Sequence, residues 1–461
     1  MTVNPILNTD SYKASHYLQY PAGTEAVFSY AEARGGPYDR ALFFGLQAIL
    51  KNEFARPVTR ADIEEAESLL VPHGLPFHKV GWHLLLDRHG GYLPLDIRAQ
   101  AEGTIAPLHV PMMSVVNTDP DFFWLTSYVE TALLRIWYPV TVATISHGVR
   151  QVIRRALVTS ADVPDAELPF KLHDFGARGV SSEASAALGG MAHLVNFQGS
   201  DTLSAIVAAR KLYNEPMAGF SIPAAEHSTI TSWERTGEAA AYENMVRQFG
   251  KPGALFAVVS DSYDLFNAVE HLWGEQLRQK VIDCGATLVV RPDSGDPVEV
   301  VSKTVNLLAA KFGTDINSKG YRVLKNVRVI QGDGVNPVSI AAILDRLLSE
   351  GFSASNIAFG MGGALLQKCD RDTLSFAYKA SAAKVNGQWR DVYKDPITDA
   401  GKRSKRGLLG LAEGYRTVAV RDGDFQPVEG GKNLLEPVWR NGELLRDDSL
   451  VTIRARVAAQ G

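Results

Sequence analysis

Between about Lys171 and Phe359, short apolar runs alternate with longer stretches of helical periodicity. The runs end near His173, Asn196, Ser221, Ser260, Arg291, Gln331 and Gly360, and the stretches between them predict helices over 182–193, 202–213, 263–280, 298–311 and 338–350. Strands that alternate with helices pair in parallel, and seven such units in succession predict a closed α/β barrel rather than an open sheet. No GxGxxG follows the first strand, as an open dinucleotide-binding sheet would often show. The two chain ends read differently. The first 150 residues hold a charged helix over 60–70, loops rich in Gly and Pro, and short strands around 95–101. From residue 376 onward the pattern is that of antiparallel strands, with turns at Asn386-Gly387, Asp422-Gly423 and Asn441-Gly442. Residues 1–150 and 376–461 are therefore expected to combine into a mixed α+β domain flanking a barrel of 151–375.

Composition narrows the class. The chain has 461 residues, 46% apolar and 21% charged, as an ordinary globular protein with a large core does. A net charge of -4 gives no reason to expect a nucleic-acid partner. The one basic block, Lys402-Arg-Ser-Lys-Arg406, reads as a solvated or anion-binding loop. The longest apolar zone, 122–145, carries Glu130 and Arg135 and is preceded by Asp119-Pro120, a capping residue and a first-turn proline. It predicts a core or interface helix rather than a membrane span. Cys284 and Cys369 form no CxxC and read as small buried apolar residues in a reducing compartment. The N-terminus lacks the charged and apolar regions of a signal peptide, so a cytoplasmic location without membrane association is expected.

The chemistry concentrates where the apolar runs stop. Ala286-Thr-Leu-Val-Val290 ends abruptly in Arg291-Pro-Asp-Ser-Gly295, and such charges are rarely placed at a strand end for packing alone. In a barrel, the loops at the C-terminal strand ends carry the site. Those positions hold Asp174, Arg178, Asp201, His227, Asp261, Arg291, Asp293, Asp333 and the glycines 360, 362 and 363. Arginine forks and glycine-lined amides suit phosphate oxygens. Carboxylates among them suit a cationic transition state or a metal ion. No HExxH, Walker loop or nucleophile elbow competes with that reading.

Five motifs, Asn8-Thr-Asp-Ser-Tyr-Lys13, Lys171-Leu-His-Asp-Phe-Gly-Ala-Arg-Gly179, Pro223-Ala-Ala-Glu-His-Ser-Thr229, Arg291-Pro-Asp-Ser-Gly295 and Val329-Ile-Gln-Gly-Asp-Gly334, resemble those of the nicotinamide phosphoribosyltransferase family. The resemblance runs from about Pro5 to the basic block. It implies a type II phosphoribosyltransferase barrel and a homodimer with active sites at the subunit interface. The implied reaction makes nicotinamide mononucleotide and pyrophosphate from nicotinamide and phosphoribosyl pyrophosphate. Magnesium would assist, and ATP hydrolysis through a phosphohistidine would improve the yield. By the same resemblance Phe175 is the platform under the pyridine ring, Tyr12 of the partner subunit stacks on its other face, and Asp201 accepts from the carboxamide. Arg178 and Arg291 hold phosphate oxygens, Asp293, Gly332 and Asp333 contact ribose, and Gly362 and Gly363 offer amides to the 5′-phosphate. Arg34, Arg371, Lys379 and Lys394 correspond to further phosphate contacts, and His227, near Asp261, to the phosphorylated histidine; metal ligands are not assigned. Two departures stand out: Ala257 where the family commonly has serine, and Ala177 for a tyrosine. The stretch between Arg34 and Leu42 also looks shortened. The alternatives are a nicotinate-specific enzyme of the same fold, disfavoured by the charge of Asp201, and a non-catalytic homologue, disfavoured by the intact charged set.

Overall fold

The structure is a computed structural model describing residues 4–398 and 403–460. The chain forms two compact units, one of Met1–Thr144, Lys211–Glu215 and Cys369–Gly461, the other of Ile145–Arg210 and Pro216–Lys368. The second unit is built on a parallel sheet of six strands. Their order is Gly199–Ser200, Leu172–Asp174, Ile357–Met361, Val327–Gln331, Thr287–Arg291 and Leu255–Val259. A seventh segment connects the two edges. Phe220 donates its N–H to Gln198 (2.7 Å) and accepts from Ser200 (3.0 Å), while Ala257 donates to Pro223 (2.9 Å) and Ala225 to Ala257 (3.0 Å). The barrel is thus barrel-like: six laddered strands, and a connecting segment held by single bridges.

Alternation along these strands decides what faces inward. Val258, Val290 and Val329 are fully buried. The residues beside them in sequence, Ala257, Val289 and Ile330, gather into one cluster against Phe175, Ile222 and Ala358. The helices start on side-chain caps legible in the sequence: Ser182 caps Glu183–Leu194, Asp296 caps Pro297–Phe312 and Asn336 caps Pro337–Ser349. The helix expected over 263–280 is instead three pieces: Leu265–Asn267, a π-helical stretch Ala268–Gln276, and Arg278–Asp283. A Cβ on Gly274, inside the π-helical stretch, would lie 2.6 Å from Lys311 Cγ, so the close packing there requires glycine.

The other unit carries a seven-stranded antiparallel sheet in which the chain ends interleave. Its order is Gln388–Asp391, Ala377–Val385, Thr24–Glu32, Met113–Asn117, Leu95–Ala99, Glu436–Arg440 and Glu443–Leu444. The Asn386-Gly387 and Asn441-Gly442 turns close hairpins in it as expected, with φ of 51° and 52° at the two asparagines. The expected continuous helix over 122–145 is overturned. The stretch breaks into Pro120–Phe122, Leu125–Tyr128, Glu130–Leu134 and the start of Trp137–Ser160. Pro139 has no N–H to continue a helix from upstream, and the Tyr128 carbonyl accepts the Thr9 hydroxyl at 2.7 Å. The cysteines are half-buried rather than buried, with Cys369 pushed up to about 11 by its partial burial and the charge of Asp370. Lys402 of the basic block lies outside the described residues; Arg403, Lys405 and Arg406 pair with Asp395, Glu32 and Asp391. Among the described residues no helix is long and apolar enough to cross a membrane.

Candidate active site

The C-terminal strand ends of the parallel sheet bring most of the expected residues to one cavity. It has a volume of about 530 Å3, and its wall includes Phe175, Arg178, Asp201, His227, Arg291, Asp293, Gly332, Asp333 and Gly362. Arg291 holds Asp293 with both sides of its fork, Nε to Oδ1 at 3.1 Å and Nη2 to Oδ1 and Oδ2 at 2.9 Å. Gly332 lies over this pair, where a Cβ would stand 3.3 Å from both Arg291 Nε and Asp293 Oδ1. A cation and a carboxylate locked together present fixed charges of both signs, so little reorganisation accompanies charge development in a ligand.

A second cavity, of about 480 Å3, is lined mainly by apolar side chains. Phe175, Asp201 and Arg291 belong to the walls of both cavities. Ile222, Ala257, Val289 and Ile330 continue the apolar wall, so the absence of a hydroxyl at 257 makes this face wholly aliphatic. Phe175 is fixed by its own N–H to Met361 O (3.1 Å), and its ring has the Arg291 guanidinium 5.6 Å from its centroid. Gly360 sits beneath the ring, and a Cβ there would lie 1.9 Å from Phe175 Cε2. At the far wall stand Lys171 and Arg328, both lowered in pKa by burial. Burial likewise lowers His173. Under the platform, burial raises the Asp174 carboxyl to about 6, with the Asp201 charge adding to the rise and the Gly176 N–H (2.7 Å) opposing it.

Asp201 accepts a short hydrogen bond from the Ser221 hydroxyl on Oδ1. Sequence reasoning missed Ser221; its only signal was its place at an apolar run's end. His227 opens the helix His227–Thr231, and its Nε2 lies 3.0 Å from Asp261 Oδ1. Ser294, also unassigned from sequence, donates to the other oxygen of Asp261 at 2.6 Å. Asp261 therefore stands behind His227. Gly363 begins the short helix Gly363–Leu366, and a Cβ on it would meet nothing within 4 Å.

The remaining expected residues belong to the flanking unit. Tyr12 is exposed there, with Lys13 Nζ 5.3 Å from its ring centroid. Lys379 is lowered in pKa first by burial, and the charges of Arg34, Lys394 and Arg371 lower it further. Arg34, Lys394 and Arg371 thus act on Lys379, and the Glu130 carboxylate opposes them. Among the described residues, no three His, Cys, Asp or Glu side chains gather to hold a metal ion.

The sequence profile of the nicotinate phosphoribosyltransferase family matches residues 170–432, and that of the nicotinamide phosphoribosyltransferase N-terminal domain matches residues 4–97. A nicotinamide phosphoribosyltransferase of Xanthomonas campestris is 57% identical over 99% of this chain and 98% of its own length. One from Acinetobacter baylyi is 32% identical at the same coverages. Two solved structures share the fold. Nicotinate-nucleotide pyrophosphorylase from Pyrococcus furiosus has a TM-score of 0.61 at 18% identity, covering 99% of this chain and 95% of its own. Human nicotinic acid phosphoribosyltransferase has a TM-score of 0.56 at 20% identity, covering 98% and 93%.

Proposed function

The chain belongs to the nicotinamide phosphoribosyltransferases within the nicotinate phosphoribosyltransferase family, and from that premise we propose that it transfers the 5-phosphoribosyl group of phosphoribosyl pyrophosphate to nicotinamide. The products are nicotinamide mononucleotide and pyrophosphate, a step of NAD salvage. The observation that carries this reading is the junction at Phe175, Asp201 and Arg291, where an apolar cavity meets a charged one. A flat heteroaromatic ring fits the first and a phosphorylated ribose the second. Offset stacking on Phe175 would add ~1 kcal/mol beyond burial.

In this reading the pyridine nitrogen forms a bond to ribose C1 as the bond from C1 to the pyrophosphate oxygen breaks, and that electron pair leaves with pyrophosphate. Asp293, held by Arg291, faces the positive charge that builds on the sugar, with Gly332 and Asp333 at its hydroxyls. Arg178 and Arg291 take the negative charge on the leaving group. Gly362 and Gly363 supply amides to the 5′-phosphate. Magnesium would neutralise charge on the leaving pyrophosphate, and the wall carboxylates Asp293 and Asp333 are the residues that would help to hold it. Asp201, oriented by Ser221, presents its free oxygen to the carboxamide NH2. With Nε2 directed at Asp261, His227 Nδ1 is left to attack the γ-phosphorus of ATP, expelling ADP. The dimer, with Tyr12, Arg34, Arg371, Lys379 and Lys394 completing the site, is part of the same proposal, as is a cytoplasmic location.

The test is substrate choice. Two like charges 4 Å apart at an effective dielectric of about 20 repel by ~4 kcal/mol. Solvent at this accessible carboxylate reduces that, so Asp201→Ser is expected to raise nicotinate over nicotinamide kcat/KM by roughly tenfold to 100-fold. An unchanged ratio removes the role given to Asp201, and a wild-type preference for nicotinic acid overturns the function itself.

A further inference from the structure

The flanking unit contains a third cavity, with an arginine that makes no side-chain hydrogen bond to a described residue. Arg98 lies in the strand Leu95–Ala99, where every residue is buried and Leu95, Ile97 and Ala99 belong to the main core. Arg98 and Asp96 alternate with them, and the Arg98 side chain is only 7% exposed. Its Nε is 3.4 Å from Asp96 Oδ2, an ion pair without a hydrogen bond, and Arg440 Nη2 donates to the same oxygen at 2.6 Å. The guanidinium stacks 4.7 Å from the Phe425 ring centroid and makes no hydrogen bond to any described residue. A buried guanidinium with idle N–H groups is costly unless something else accepts from it.

The space beside it is a cavity of about 440 Å3 lined by Arg98, Gln426, Lys432, Glu436, Pro437 and Arg446, among others. Three cations face one carboxylate. Glu436 is spent on two of them, to Lys432 Nζ at 2.5 Å and Arg446 Nη1 at 3.0 Å, and Arg446 also holds Asp448 at 2.9 Å. Arg98 has only a share of Asp96, which Arg440 also holds, and a longer-range attraction to Asp424. The register of the neighbouring strand shifts between Pro437, opposite Arg98, and Trp439, and Pro437 has no N–H to offer. The ladder is thus interrupted beside the cavity.

We propose that this cavity is a binding site for a phosphate-type oxyanion seated on the Arg98 fork, with Lys432, Arg446 and the Gln426 amide around it. An arginine fork matches two oxygens of such a group at once, and a dianion answers the local excess of positive charge. The oxyanion comes either as free phosphate or as the phosphate of a small ester. The substrate cavity also accepts phosphate in the reading above, so it must be silenced first.

Isothermal titration of full-length Arg178→Met/Arg291→Met protein, which lacks both arginine forks of the substrate cavity, with inorganic phosphate at ionic strength fixed with sodium chloride should report one site. Adding Arg98→Met, which keeps the stem against Phe425, should weaken that site about tenfold or more, while Arg98→Met alone leaves kcat/KM unchanged. Tighter binding of ribose 5-phosphate than phosphate assigns the ester, and the reverse assigns the free ion. Equal phosphate binding with and without Arg98 overturns the proposal. Crystals of the unaltered protein soaked in selenate give a second measurement that needs no folded variant. An anomalous peak within hydrogen-bond reach of Arg98 supports the site, and a peak at Arg291 with only solvent at Arg98 overturns it. Neither result bears on the transferase activity, so the two readings fail separately.

Discussion

Replacing Gly360 by alanine is the sharpest perturbation of the proposed ring site, because it touches no ligand yet acts on the platform. The added Cβ would lie 1.9, 2.1 and 2.8 Å from Cε2, Cδ2 and Cζ of Phe175, against an ordinary contact limit of 3.4 Å. The ring edge must therefore retreat by about 1.5 Å, the difference between 3.4 and 1.9 Å. The Phe175 backbone is tied to Met361, so the retreat falls on the side chain. Overpacking of this kind costs ~1–3 kcal/mol of stability, and misplacement of a reacting partner by about 1 Å lowers rate about 100-fold. Gly360→Ala is thus expected to lower kcat/KM for nicotinamide about 100-fold while phosphoribosyl pyrophosphate still binds. Adding Phe175→Leu should recover the lost stability without recovering activity, since the strain is relieved and the platform is gone. Steady-state kinetics and thermal unfolding on the two variants and the parent decide it. A Gly360→Ala protein with unchanged KM and kcat for nicotinamide would refute the assignment of Phe175 as the ring platform.

Three further outcomes follow from the geometry. His227→Ala should retain ribosyl transfer but lose ATP hydrolysis and any stimulation by ATP; equal stimulation in both proteins would exclude the phosphohistidine. Mixing inactive Tyr12→Ala and Phe175→Ala proteins under subunit exchange should restore activity if each site draws on two subunits; no recovery despite exchange, seen by mass spectrometry, would place both rings in one subunit. Glu102 is buried beneath bonds from the Gln47 N–H (2.7 Å) and the Tyr213 hydroxyl (2.9 Å), and burial raises its carboxyl from 4.5 to about 7. A raised folded pKa means the folded state binds the proton more tightly. The stabilisation is then full below pH 4.5 and is lost as pH rises to about 7, by roughly 3 kcal/mol. Glu102→Gln should flatten that part of the stability profile, measured by denaturant unfolding at each pH; an unchanged slope would assign it to another group.

What could be read from the chain was mostly local. Asp296-Pro297 and Asn336-Pro337 place helix starts because capping is decided within a few residues. Arg291 and Asp293 sit two residues apart and pair directly. The misreadings have equally local or plainly distant causes. Pro139, inside the 122–145 stretch, marks a helix boundary by itself, because proline lacks the N–H a helix from upstream would need. Lys311 packs against Gly274 from far along the chain, and the hydroxyl on Asp201 comes from Ser221, twenty positions along. Gly360 meets Phe175 only through the adjacency of their strands, which no periodicity encodes.

The interleaved sheet of the flanking unit also sets an order of events during synthesis. The strand Thr24–Glu32 is buried along nearly its whole length, between Met113–Asn117 and Ala377–Val385. When residue 117 leaves the ribosome, one edge of that strand has its neighbour. The other edge waits for residue 385, roughly 13 to 54 seconds later at 5–20 residues per second. Through that interval a long apolar edge stands open while the central unit completes its own sheet. Nascent chains of this protein should therefore engage chaperones through their N-terminal region. A permuted gene that begins near residue 369 would present the two partners to each other at once and shorten that exposure.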